Sequence, residues 1–148
     1  GANHFIHGLN VTGNVFRTLN GSIDRVEAVD TSFADLNFDR MRNVIFQGNT
    51  FNTIDNDVFN PLVVHHDQIS ASPVWTVETA GQLPFGGYAR RVTSVMPDGA
   101  ILNGSGGANF SQPYAVTKQG PNKGDVNLTW PEGTSGKVTV TVRMDNPL

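Results

Sequence analysis

The acidic residues in the first third of the chain are the first candidates for chemistry. Asp24, Glu27 and Asp30 fall close together, and two carboxylates placed across a sugar can hydrolyse a glycosidic bond. An even number of residues separates Asp24 from Asp30, so a strand would place both on one face. Asp30, however, lies among turn-forming residues, where an aspartate side chain usually hydrogen-bonds nearby backbone. We therefore favour solvated turn acids over a catalytic pair.

Three arginines near these acids suggest a second type of chemistry. Arg25, Arg40 and Arg42 could serve a polysaccharide lyase, in which an arginine acts as the base or holds a substrate carboxylate. Charge pairing with neighbouring acids at the surface explains the same residues, and it is the favoured interpretation.

The stretch His65-His66-Asp67 is the most conspicuous polar cluster. Neighbouring strand residues point to opposite faces, so the two histidines cannot bind one metal ion in regular geometry. His66 and Asp67 remain a candidate acid–base pair, although a turn or end-cap role is favoured. The sequence has no Cys and no HExxH, GxSxG or glycine-rich phosphate-loop motif. No metal and no cofactor is predicted.

All the Trp and Tyr residues lie in the second half of the chain. Aromatic faces commonly pack against sugar rings. Tyr88, which stands next to a Phe-Gly-Gly segment and close to Arg90, is the preferred carbohydrate contact, and Trp75 and Tyr114 are further candidates. Trp130 lies on an alternating strand and is predicted to belong to the core.

Composition and charge narrow the class of protein. The 148 residues are 38% hydrophobic and 16% charged, with 16 Gly and 8 Pro, which favours strands and turns over helices. Lys and Arg are scattered along a chain of net charge −3, so nucleic acid is not an expected partner. Apolar runs are too short to cross a membrane, and membrane insertion is not expected.

An internal repeat predicts the elements that position these residues. Four stretches align when they are anchored on a closing Phe or Ile, and their starts are separated by 17, 18 and 18 residues. Apolar residues share columns within them, and Asn14, Thr31 and Asn49 share a polar column. The stretches are IHGLNVTGNVF (6–16), IDRVEAVDTSF (23–33), MRNVIFQGNTF (41–51) and FNPLVVHHDQI (59–69).

The repeat predicts stacked rungs of short strands. Apolar residues two apart give one buried face, and no single rung can bury that face alone. A helix over residues 23–45 is the weaker alternative, because Asp, Asn, Thr and Ser occupy its polar positions. A left-handed hexapeptide coil needs apolar residues six apart, and the offsets 0, 3, 5, 10 and 13 do not fit.

The turn sequences GNVF (13–16) and GNTF (48–51) carry a family resemblance. They resemble the Asn-rich rung turns of right-handed parallel β-helix proteins of the pectate-lyase-like family. The resemblance covers residues 3–69 and implies the fold more than an activity.

The second half shows a different pattern. Residues 70–73, SASP, are predicted to form a linker between β-helix rungs (1–69) and a C-terminal β-domain (74–148). Short strand-like runs separated by Gly- and Pro-rich turns predict an antiparallel β-sandwich-like domain there. The expected fold class is therefore all-β, with the last rungs of a parallel β-helix followed by this domain.

Phage tailspikes are similar to this plan, and that resemblance implies the expected function. The chain would be a C-terminal assembly and receptor-binding portion, homotrimeric, that recognises a cell-surface polysaccharide from a virion tail or an extracellular position. The alternative is the end of a secreted polysaccharide lyase or glycoside hydrolase whose active site lies mostly upstream. Whether the whole protein is an enzyme stays open.

Overall fold

The computed structural model describes residues 5–147; residues 1–4, with which the first predicted domain begins, and residue 148 lie outside the described part. The chain is all-β, as predicted. Its described helical segments are two short 3₁₀ turns, Phe38–Arg40 and Pro84–Gly86, and neither is long enough to cross a membrane. The strands β1 to β9 are, in order, Ile6–Thr12, Val15–Arg17, Met41–Gln47, Thr50–Asn52, Leu62–Glu78, Arg91–Pro97, Leu102–Asn103, Tyr114–Gln119 and Asp125–Arg143.

The first four strands form two parallel pairs in which similar residues lie above one another. Strand β1 pairs with β3, and β2 pairs with β4. Phe16 is opposite Phe51 in the register, and their rings stack with centroids 5.6 Å apart. The shared apolar columns predicted for the first and third stretches therefore bring the expected residues together.

The polar column satisfies backbone groups at the turn between the paired strands. The Asn49 side chain donates from Nδ2 to the Val11 carbonyl at 2.9 Å and accepts the Asn14 backbone N–H at 2.9 Å. Gly13 and Gly48 precede the two asparagines with φ of 69° and 65°, a conformation that glycine adopts without a steric penalty. The Gly-Asn pair is thus the turn that keeps the stacked strands in register.

The predicted stacking of consecutive 17- and 18-residue stretches is wrong. Paired residues such as Phe16 and Phe51 are two repeat intervals apart in the chain and not one. The stretch between them, residues 23–33, forms no strand and contributes one bridge, from Ile23 to Ile54. Phe33 is 92% exposed and joins no aromatic ladder. The turn-forming Asp, Thr and Ser residues of that segment carry the chain around between the paired strands.

The second half forms one antiparallel sheet around the long strand β9. Strand β5 pairs along one side of β9, and β6, β7 and β8 pair along the other. Antiparallel pairing is confirmed. The described strands of the second half make a single sheet with β9 at its centre, so they do not form a sandwich of two separate sheets.

The predicted linker at 70–73 is wrong, because β5 passes through it without a break. The fourth repeat stretch, 59–69, also enters β5 and pairs antiparallel with β9. Opposite the linker, residues 131–136 are Pro- and Gly-rich and were expected to form one of the turns between strands, but they are part of β9. Between the pairs Ser72–Thr134 and Val74–Thr129 the register shifts, so both strands cross an irregular stretch that Gly, Ser and Pro residues permit.

Trp75 fixes this irregular stretch. Its side chain is fully buried, and its Nε1 donates to the carbonyls of Ser72 at 3.1 Å and Thr134 at 2.8 Å. The ring lies 4.8 Å from that of Trp130, which is buried as predicted. The indole thus satisfies carbonyls that the disrupted ladder leaves free.

One cluster of buried side chains draws on both halves of the chain. It includes Met41, Val44 and Phe46 from β3 together with Trp75 and Val140 from the antiparallel sheet. The two predicted domains therefore share a hydrophobic core.

A buried carboxylate joins three distant segments at the edge of this core. Asp145 has no exposed surface, and its oxygens accept hydrogen bonds from the Arg143 guanidinium at 3.0 Å, from Asn60 Nδ2 at 2.8 Å and from the Val44 N–H at 2.8 Å. Asn60 in turn accepts the Met144 N–H at 3.0 Å. This Asp145 network ties β3, the entry to β5 and the end of β9 together.

Replacing Asp145 should therefore destabilise the whole fold. Asp145→Ala leaves the Arg143 charge, only 11% exposed, without its partner, and we expect the free energy of unfolding to fall by about 3–5 kcal/mol. Urea unfolding followed by circular dichroism measures the change. Asp35→Ala, at an exposed position, is the control and should leave the midpoint unchanged. A loss for Asp145→Ala as small as that of the control would contradict the role given to the network.

The same network makes stability depend on acid pH. Burial by itself raises the pKa of Asp145, but the hydrogen bonds from Arg143, Asn60 and the Val44 N–H outweigh it and hold the pKa below its ordinary value. The ionised form is thus favoured in the folded chain, so its stabilisation is present above the ordinary pKa and is lost as pH falls through the lower folded value. We expect Asp145→Asn, which cannot titrate, to lose less stability than the natural sequence between about pH 6 and about pH 3. Parallel pH curves for the two proteins would rule this out.

Candidate functional site

A cleft of about 490 Å³ opens between the first segment of the chain and the turns of the antiparallel sheet. Arg25 reaches it from the first half, and Tyr88 and Lys123 reach it from the second. Much of the remaining wall is glycine and turn backbone, from the segments 86–87 and 121–124. The cleft therefore combines an aromatic ring, two cationic side chains and walls made of backbone.

The local sequence explains why backbone, and not side chains, lines this part of the cleft. The 3₁₀ turn Pro84–Gly86 begins at a proline, which suits the first position of such a turn. At Gly87 a Cβ atom would lie 2.9 Å from Met144 Cε and 3.0 Å from the Pro84 carbonyl oxygen. Any side chain at Gly87 would push against the core, so the chain closes the cleft there with backbone alone.

Tyr88, the preferred carbohydrate contact, is a wall of this cleft. Its ring meets Phe38 edge-on with centroids 4.9 Å apart. Lys123 Nζ lies 5.0 Å from the ring centroid, within range for a cation–π interaction. The ring is therefore held in place from two sides, and its role in sugar binding stays a prediction.

Arg90, predicted together with Tyr88, belongs to a cationic group around one carboxylate. Asp39 lies 3.1 Å from Lys118 Nζ and 3.8 Å from Arg90 Nε. The hydrogen bond from Lys118 is the largest influence on the pKa of Asp39, and the charges of Lys118, Arg90 and Lys123 add to it, so the pKa lies below its ordinary value. We name Arg90, Lys118 and Lys123, with Asp39 between them, the basic cluster.

Further cations continue this surface. A second cleft, of about 290 Å³, is lined by Asp39 with Arg40, Arg42 and His7. Asp39 thus has five of the ten Lys and Arg residues of the chain around it, although the net charge is −3. The lyase role considered for Arg40 and Arg42 stays a prediction. Sequence reasoning missed the cluster because Asp39 and Lys118 are far apart in the chain.

The acids considered for catalysis are each held by neighbours of their own. Asp24, 74% exposed, accepts from Asn56 Nδ2 at 2.7 Å. Glu27 is buried and forms an ion pair with Arg25 at 2.9 Å. Asp30 accepts the Ser32 N–H at 2.9 Å, and hydrogen bonds from Ser32 lower its pKa.

The alternation argument for these acids is wrong, because residues 23–33 form no strand. Asp30 has the turn role that was favoured, and Arg25 pairs with a neighbouring acid as expected. The ion pair with Glu27 also fixes the guanidinium of Arg25 at the wall of the cleft.

His66 and Asp67 do not form an acid–base pair. They occupy successive positions of β5, where His66 lies 5.7 Å from the Trp75 ring and hydrogen-bonds Gln68 at 2.9 Å. Asp67 faces Lys137 at 3.9 Å on the other side of the sheet. The predicted turn or cap role is also wrong, since both residues lie inside a paired strand.

The two remaining candidates for carbohydrate binding, Trp75 and Tyr114, differ in their exposure. The prediction that Trp75 contacts a sugar is wrong, because its side chain is fully buried and its Nε1 already donates a hydrogen bond within the sheet. Tyr114 is 65% exposed on β8, and it does not line the Tyr88 cleft. Its role in carbohydrate binding stays a prediction.

Comparison with protein-family models, with curated proteins and with solved structures gives no match.

Proposed function

We propose that this chain is the C-terminal assembly and receptor-binding portion of a tailspike-like protein with a right-handed parallel β-helix. In this proposal the chain acts as a homotrimer on a virion tail or at an extracellular surface and recognises a cell-surface polysaccharide. The observation that carries it is the parallel stacking of like residues, Phe16 on Phe51 and Asn14 on Asn49, followed by an antiparallel sheet that bears a polar cleft.

The parallel pairs support the β-helix part of the proposal. One repeat of the coil would run from Phe16 to Phe51, with the Gly-Asn turn of each level placed above that of the next. The amides of Asn14 and Asn49 are joined by a hydrogen bond of 3.2 Å. Such asparagine and aromatic ladders are the interactions by which identical strand layers stabilise each other.

Exposed apolar surface supports assembly. Ile69, Val74, Met96 and Tyr114 are exposed large side chains of the antiparallel sheet, and a partner subunit would cover side chains of this kind.

The Tyr88 cleft supports recognition of a saccharide. Sugars present both apolar ring faces and hydroxyl groups, so their sites pair an aromatic side chain with hydrogen-bonding groups. Tyr88, Arg25 and Asn122 offer this combination around one opening.

The assembly part predicts the solution mass. We expect light scattering across a dilution series to give three times the chain mass of 16.0 kDa, because the exposed sheet residues would be buried between subunits. A constant mass of one chain would contradict assembly.

The recognition part predicts the effect of removing the aromatic wall. Tyr88→Ala should weaken binding of the polysaccharide identified on a glycan panel by about tenfold, since one aromatic contact contributes about 1 kcal/mol or more. Phe110→Ala removes a 94% exposed aromatic side chain outside the cleft and is the matched control. Asn122→Ala, on an exposed turn of the cleft, provides a second test if Tyr88→Ala does not fold. Equal binding by all the variants would place recognition elsewhere.

A further inference from the structure

We propose that the basic cluster binds the anionic group of an acidic saccharide. The inference rests on the proposed function, and it adds the chemical class of the ligand: a sugar that carries a carboxylate. Tyr88 would contact the sugar ring, and Lys123, Lys118 and Arg90 would hold the charged group.

The backbone brings these side chains to one place. The Lys118 N–H donates to the Ala89 carbonyl at 2.8 Å, and the Ala89 N–H donates to the Lys123 carbonyl at 2.9 Å. Ala89 stands between Tyr88 and Arg90 in the chain. The aromatic ring and the three cations are thereby fixed around one residue.

The charges of the cluster are only partly compensated. Asp39 is the one carboxylate within ion-pair distance of the cluster among the described residues, and it pairs with Lys118 and Arg90. Lys123 has no such partner in that part of the chain, and its Nζ stands over the Tyr88 ring. Arg90 Nη1 is buried without a hydrogen-bond acceptor. Three cations around one acid favour the binding of a further anion.

The backbone at both lysines points to a role for their side chains. Lys118 and Lys123 have φ of 55° and 56°, in the left-handed region where glycine is the relaxed residue. Strained non-glycine residues often occur at ligand sites. A glycine would relax the backbone at the bulge of β8 that holds Lys118 and at the turn that holds Lys123. What the lysines supply instead is a cation beside Asp39 from Lys118 and a cation beside Tyr88 from Lys123.

The geometry of the cations suits a carboxylate. Arginine offers a planar fork of N–H donors, and lysine offers a compact point charge. A uronic or sialic acid presents both a carboxylate and a ring that can pack on Tyr88. A free phosphate ion carries the charge but has no ring. Comparing phosphate with an acidic sugar therefore distinguishes these two sources of the anion experimentally.

The test measures binding to the whole chain by titration calorimetry. The probes are hexamers of galacturonic, mannuronic and sialic acid, the neutral maltohexaose, inorganic phosphate and a DNA duplex. We expect at least one acidic hexamer to bind more tightly than all the other probes, and its affinity to fall as salt rises. Lys118→Gln and Lys123→Gln should each weaken it by about tenfold or more, as expected for a lost charged hydrogen bond. Lys137→Gln removes a charge on the sheet face, where it pairs with Asp67, and should change the affinity less than twofold.

A glycine variant separates binding from folding. Lys123→Gly removes the cation but relaxes the left-handed backbone. We expect the thermal midpoint to be unchanged or raised while the acidic hexamer is bound as weakly as by Lys123→Gln. A lysine with a purely structural role would give a lower midpoint and unchanged binding, which would overturn the inference.

The other outcomes of the titrations separate failure of this inference from failure of the proposed function. Binding of maltohexaose as tight as that of the acidic hexamers, unaffected by the lysine variants, would overturn the acidic class and leave saccharide recognition standing. Binding of phosphate or DNA as tight as that of any hexamer would overturn the saccharide as the ligand. Absence of binding to every saccharide on a wider panel would remove the proposed function as well.

Discussion

The buried charge of Asp145 is the interaction on which the arrangement of the molecule depends. A carboxylate without exposed surface has to be compensated in place, and here the compensation comes from Arg143, Asn60 and the Val44 backbone. These groups belong to segments far apart in the chain. Their positions are fixed together because none can move without leaving a buried polar group unsatisfied.

The short segment around Asp145, residues 143–146, also sets the geometry of the basic cluster. The Arg143 carbonyl accepts the Arg90 N–H at 3.0 Å, and the Asn146 N–H donates to the Met41 carbonyl at 3.2 Å. Arg90 and Met41 are therefore held by residues that precede and follow Asp145 in the chain, and Asp39 lies two residues before Met41. The ion pair between Asp39 and Arg90 across the two halves of the chain follows from the network beneath it.

How much the sequence predicted depends on the range of the interaction involved. Alternating apolar residues and the repeated Gly-Asn turn are local, and they predicted the all-β class and the shared column of Phe16 and Phe51, but with the stretch 23–33 stacked between them. The sequence could not show that two copies of the repeat make one level, because the path of residues 23–33 depends on what they pack against. The role of Trp75 was missed for the same reason, since its acceptor at Thr134 belongs to a strand far along the chain. The candidate site was predicted in part: Tyr88 and Arg90 were named from an adjacent Gly-rich turn, whereas Lys118, Lys123 and Asp39 come together only through tertiary pairing.

The charges of the cluster also connect ligand binding to the stability of the fold. Arg90, Lys118 and Lys123 repel one another in the absence of an anion, and Asp39 offsets only part of that repulsion. A bound carboxylate would relieve the remainder and would interact with groups that come from both halves of the chain. Because a ligand that binds only the folded state stabilises it, an anion at this position would strengthen the junction that Asp145 holds from within. Recognition at the surface and the buried network would then stabilise the same contact between the parallel pairs and the antiparallel sheet.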